Sequence, residues 1–90
     1  MIKLPPGLVV VSREGCGLCA DMLRALAELE RSAAIPTVTI IDVDADAELE
    51  GRFGLKVPVL LLDGSVICHY TLNSKELLRL LAPPAAIIPR

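Results

Sequence analysis

Ninety residues, 53% of them hydrophobic with Phe53 and Tyr70 the sole aromatics, are enough for one small domain around an aliphatic core. A formal net charge of −2, a single histidine and no basic cluster argue against nucleic acid as a partner. No apolar run nears the ~18 residues of a membrane span, and residues 1–14 do not read as a secretory leader, so no membrane is expected and a cytoplasmic location follows by default.

Taken in chain order, the elements alternate in type. Leu8-Val9-Val10-Val11 predicts a buried strand over 8–12, and residues 17–31 carry a helical stripe of Leu18, Met22, Leu26, Leu29 and Ala33. Val38-Thr39-Ile40-Ile41 reads as a second strand. Asp44 or Asp46 is placed to cap a short helix through Phe53, with Gly54 ending it. Residues 57–63 form a third strand, Asp63-Gly64 a tight hairpin turn, and residues 66–69 the returning fourth strand. Asn73 or Ser74 caps a last helix whose Leu77, Leu78, Leu80 and Leu81 are expected to face the sheet, and Pro83-Pro84 stops it. Two helical crossovers are expected to make parallel strand pairs, and the hairpin an antiparallel one. The domain would span 1–82, followed by a proline-flanked tail over 83–90.

Cys16-Gly17-Leu18-Cys19 falls where the first strand gives way to the first helix. A dithiol there sits at the first helical turn, whose N–H groups lack intrahelical partners and carry the positive end of the dipole, so a sulfur is held preferentially as the reactive thiolate. Moving a thiol from a pKa of ~8.5 to ~7 takes about 2 kcal/mol, whereas a helix terminus typically supplies ~0.3–1 kcal/mol. Direct N–H···S bonds and the nearby cation Arg13 are the expected remainder, with Glu14 opposing them. Cys16, nearer the helix end, is assigned the attack; Cys19, inside the first turn, is the resolving thiol.

Two other readings stay open. A zinc site would need two further ligands, and the chain offers only Cys68 and His69. A metal or iron–sulfur carrier would use Cys16 and Cys19 with ligands shared across a dimer, while a redox-silent interaction domain would keep the fold without turnover. Cys68 reads as a small buried hydrophobe and His69 as exposed on the opposite face of its strand. Asp42, Asp44 and Asp46 imitate the start of a calcium loop, but Ala47 and Phe53 stand where Gly and Glu are required. Acids ending a strand and capping the next helix account for that run.

The order β-α-β-α-β-β-α with a dithiol after the first strand resembles the thioredoxin fold, an α/β class with a four-stranded mixed sheet and flanking helices. Within it the chain resembles glutaredoxins, with Arg13 where they carry a lysine. The pattern Ser12-Arg13-Glu14-Gly15-Cys16-Gly17-Leu18-Cys19 together with Phe53-Gly54-Leu55-Lys56-Val57-Pro58-Val59-Leu60 is similar to a family of small bacterial glutaredoxin-like proteins. The resemblance implies that Pro58 is cis and faces the dithiol, with the Val57 main chain open to pair with a substrate peptide as an added strand. Arg13, Val57 and Pro58 are thus the implied substrate-binding residues. It further implies a thiol-disulfide oxidoreductase with no bound organic cofactor, acting as a monomer on a disulfide-containing protein or small thiol. Glutathione or another external thiol would donate electrons. The chain departs from the glutaredoxin pattern at Gly17, Leu18 and Lys56, where a proline, an aromatic and a threonine are usual. Cys68 and His69 replace the paired glycines of the glutathione pocket, and Tyr70-Thr71 the polar pair after them. Gly17 beside Cys16 is also similar to the cluster-binding monothiol glutaredoxins, which lack a cysteine at the position of Cys19.

Overall fold

The computed structural model describes residues 3–82. Strand β1 (Leu8–Ser12) leads through α1 (Gly17–Arg31) to β2 (Thr39–Asp42). A 3₁₀ turn (Val43–Ala45) and α2 (Ala47–Phe53) follow, then β3 (Val59–Leu62), β4 (Ser65–His69) and α3 (Ser74–Leu81). The sheet has the order β2-β1-β3-β4, with β1 parallel to β2 and antiparallel to β3, and β3 antiparallel to β4. The expected tail over 83–90 lies outside the described residues.

Alternation along the two central strands builds two cores. Leu8, Val10 and Leu60 pack with Met22 and Leu26 of α1 and Leu77 of α3 on one face. Val9, Val11, Val59 and Leu61 pack with Val43, Leu49 and Phe53 on the other. Every residue of β1 is buried, as its uninterrupted apolar run requires.

The second crossover does not make the parallel pair expected of it. Strand β2 ends at Asp42 beside Ser12, and β3 begins at Val59 beside Val11, so residues 43–58 enter and leave at the same end of the sheet. Helix α2 has seven residues, ~10 Å of axis, and does not carry the chain back along the strands. Strand β3 therefore runs against β1, inserted between it and β4.

Several face assignments also shift. The buried stripe of α1 is Cys19, Met22 and Leu26, with Leu23 and Leu29 half-buried at its margins. Leu18 lies about 100° around the helix from Cys19 and is 44% exposed. Ala33 is beyond the helix, exposed and at φ +61° in the turn that closes it. On α3, Leu77 and Leu81 share one face by their i, i+4 spacing, which leaves Leu78 and Leu80 exposed. Strand β3 runs only from Val59 to Leu62, since Pro58 has no N–H to give to a ladder; the Val57–Pro58 peptide is cis, as the resemblance implies.

The caps fall on Asp46, whose carboxylate accepts the N–H groups of Glu48 and Leu49, and on Asn73, which accepts from Glu76. Gly54 does close α2, yet at φ −55° rather than in the left-handed conformation. A Cβ there would stand 2.5 Å from the Glu50 carbonyl oxygen, so the close approach excludes other residues.

Candidate active site

Both sulfurs are placed by the loop joining β1 to α1. Cys16 is the N-cap of α1, with an extended backbone, and its Sγ accepts the Cys19 N–H at 3.1 Å. Its carbonyl accepts the Ala20 N–H at 3.0 Å, the first bond of the helix. A thiol standing where Ser or Asp would normally cap is thus bonded to one of the orphan helix-start donors. Cys16 is partly exposed, whereas Cys19 faces the core with 1% exposure, and both are free thiols.

Cys19 is pushed up to about 11, first by burial and second by the hydrogen bond between its thiol and Cys16. The Arg13 backbone N–H, which donates to Cys19 Sγ at 3.4 Å, opposes that shift. One sulfur is thereby open to a partner while its neighbour is held back as a thiol, the asymmetry that a nucleophile and a resolving group require.

Arg13 does more here than stand near Cys16 as a cation. Its carbonyl accepts the Cys16 N–H at 3.3 Å and its N–H reaches Cys19, so its main chain touches both cysteines. The guanidinium turns to the opposite wall. It binds Asp44 in a fork, Nε to Oδ2 and Nη2 to Oδ1 at 2.9 Å each, and Nη1 donates to the Gly54 carbonyl at 3.0 Å. Glu50 adds an ion pair at 3.6 Å. The pairing holds the Asp44 carboxyl below, and the Arg13 guanidinium above, their usual ranges.

The loop before β3 is the other wall. Pro58 is buried, and its carbonyl accepts the Tyr70 N–H at 2.9 Å. The Tyr70 hydroxyl donates to the Leu55 carbonyl at 3.3 Å, so one residue after β4 braces both ends of the 55–58 segment. Tyr70 does so at φ +66°, with the Thr71 N–H bonded to the His69 carbonyl at 2.6 Å, a γ-turn geometry that a bulky side chain seldom adopts. Leu55 is 92% exposed and Val57 half-buried. The antiparallel register of Val11 with Val59 puts Pro58 at the same end of the sheet as the loop carrying Cys16.

Sequence reasoning missed Asp44, Gly54 and Tyr70 as supports of this site. The acid run did contain Asp44, but only as a capping candidate. Its companions keep local duties: Asp42 caps the 3₁₀ turn through the Asp44 N–H at 2.9 Å, and Asp46 caps α2. Cys68 pairs with Leu60 and is half-buried against the α1 side of the sheet, while His69, opposite Val59, is half-buried rather than exposed. Among the described residues no group of three or more His, Cys, Asp or Glu side chains is placed to hold a metal ion. No helix among them is long and apolar enough to cross a membrane.

Comparison with known proteins places this geometry. The chain is 32% identical over 77 residues to the uncharacterized protein Rv0508 of Mycobacterium tuberculosis, an alignment covering 80% of this chain and 78% of that protein. It is similar to the solution NMR structure of protein Ne2328 from Nitrosomonas europaea, with a TM-score of 0.72 at 30% identity over 91% of this chain and 99% of that one. The X-ray structure of protein XcR50 from X. campestris matches with a TM-score of 0.66 at 29% identity, over 86% and 100% of the two chains. The family model for the Glutaredoxin-like domain (DUF836) matches residues 7–82, a span holding the dithiol, the Arg13 anchor and the Pro58 loop, and the chain belongs to that glutaredoxin-like family.

Proposed function

We propose that the protein is a thiol-disulfide oxidoreductase working by a dithiol mechanism. The observation that carries this reading is the inequality of the two sulfurs: Cys16 caps α1, partly exposed and bonded to the Cys19 N–H, while Cys19 is buried beneath it as a thiol. Cys16 thiolate attacks a substrate disulfide, forming a bond to one substrate sulfur while the other leaves with the electron pair and takes up a proton. Cys19 then gives up its proton and attacks Cys16. The Cys16–Cys19 bond forms, the bond from Cys16 to the substrate breaks, and the second substrate sulfur leaves reduced.

The dithiol supplies both electrons, so no bound organic cofactor enters this scheme, and an external thiol such as glutathione restores the reduced state. The partner is a disulfide-containing protein, or a small thiol in its disulfide form, met in the cytoplasm by the monomer. Val57 and Pro58 would present main chain to it as an added strand, and Arg13 would hold the floor of the site. Leu18 and Leu55 give the surroundings an apolar character.

Replacing Cys19 with Ser tests the scheme. The variant is expected to accumulate a mixed disulfide on Cys16 when mixed with a peptide disulfide, detectable as an added mass that dithiothreitol removes. A Cys19→Ser protein that stays unmodified under conditions where the wild type turns over would overturn it.

A further inference from the structure

Arg13 is joined to the dithiol by its main chain and to the opposite wall by its side chain. Its N–H is on Cys19 Sγ, its carbonyl on the Cys16 N–H, and its guanidinium on Asp44 and the Gly54 carbonyl. Asp44 is itself held, since its N–H is bonded to Asp42, which pairs with Ser12 across the parallel strands. A forked guanidinium–carboxylate pair fixes direction as well as distance, which a point charge does not. The fork therefore sets where the Arg13 backbone stands relative to Cys19.

We propose that the Arg13–Asp44 pair is a positioning element for the resolving step: it holds the Arg13 N–H on Cys19 Sγ and so readies Cys19 to attack the disulfide between Cys16 and substrate. The proposal rests on the dithiol reading and deepens it. Burial and the bond to Cys16 both disfavour the Cys19 anion, and the Arg13 N–H and charge favour it. In the mixed disulfide the Cys16 sulfur is tied to substrate and is no thiolate, which leaves the Arg13 N–H as the donor that stabilises the charge developing on Cys19. The step balances as before: Cys19 loses its proton to solvent, the Cys16–Cys19 bond forms, and the substrate sulfur departs with the electron pair and is protonated. The first step does not draw on the Arg13 N–H that is bonded to Cys19 and should be nearly indifferent to the loss of Asp44.

The test separates the two steps with the aromatic disulfide dithiobis(nitrobenzoate), in a Cys68→Ala background so that only the dithiol reacts. The first equivalent of coloured thiolate reports attack by Cys16, and the second reports its release by Cys19. Asp44→Asn is expected to slow the second phase about fivefold to tenfold, the weakening of one hydrogen bond to a developing charge, with the first phase changed less than about twofold. Alkylation of Cys19 in a Cys16→Ser background should fall by a similar factor, and Asp44→Glu, which keeps a carboxylate, should recover part of the second phase. Glu76→Gln, which breaks the forked Glu76–Arg79 pair on α3, serves as the control and should alter neither phase. A second phase unchanged in Asp44→Asn, or both phases slowed alike, would overturn the proposal while leaving the dithiol scheme intact. Failure of Cys19→Ser to trap any mixed disulfide would instead remove the scheme and this proposal together.

Discussion

Cys19 couples the site to the stability of the fold. Its folded-state value of about 11 lies above the ordinary 9.0, so the native state binds this proton more tightly than the unfolded chain does. Stability from that difference is fully present below about pH 9 and is lost as the pH rises through about 11. Urea melts of the reduced protein are therefore expected to show a steeper loss of stability across that window in the wild type than in Cys19→Ser. Equal slopes would mean that the thiol is not held in its protonated form. The two cysteines and their unequal placement were legible in the sequence, because spacing and a strand-to-helix junction fix which sulfur lies nearer the helix end. The partners of Arg13 were not, since Asp44 and Gly54 stand 31 and 41 residues away along the chain.

At the scale of elements, the segment between α2 and β3 depends on close packing at one glycine. Gly54→Ala would drive a methyl group into the Glu50 carbonyl and displace Gly54, whose own carbonyl Arg13 holds, with an expected cost of about 1–3 kcal/mol. Gly51, in the same helix, has open space around it, and Gly51→Ala should stabilise by roughly 0.5–1 kcal/mol through helix propensity alone. Thermal melts of the pair check this, and a Gly54→Ala variant as stable as Gly51→Ala would contradict it. The hairpin is an element the sequence announced outright. Asp63 at φ +49° and Gly64 at φ +84° supply two successive left-handed residues, as a two-residue turn between antiparallel strands demands. Its companion feature, the register shift between Leu60 and Leu61, left no comparable mark on the sequence.

Across the whole molecule, stability rests on two central strands that feed cores on both faces of the sheet. Leu60 is fully buried between β1 and β4, so Leu60→Ala should cost about 2–5 kcal/mol. That is a large part of the ~5–15 kcal/mol typical of a whole domain. Denaturant unfolding is the measurement, and a loss below that range would show that α1 and α3 collapse into the space. Leu78→Ala, on an exposed flank of α3, should change stability far less.

The sequence by itself determined the element order, the buried character of β1, the hairpin, the dithiol at a helix start and the resemblance to glutaredoxins. Each of these is local: a run of apolar residues, a turn pair or a fixed spacing expresses itself within a few residues of chain. Only the tertiary structure decided that β3 enters antiparallel beside β1, that Leu18, Leu78 and Leu80 face outward, and that Arg13 spends its guanidinium on Asp44 and Gly54. These depend on which end of the sheet the chain occupies when it returns, and on bonds between segments far apart in sequence. Residues 43–58 begin and end at the end of the sheet that carries the dithiol loop, and that placement brings an aspartate and a glycine carbonyl onto Arg13 and a buried proline to the same end of the sheet.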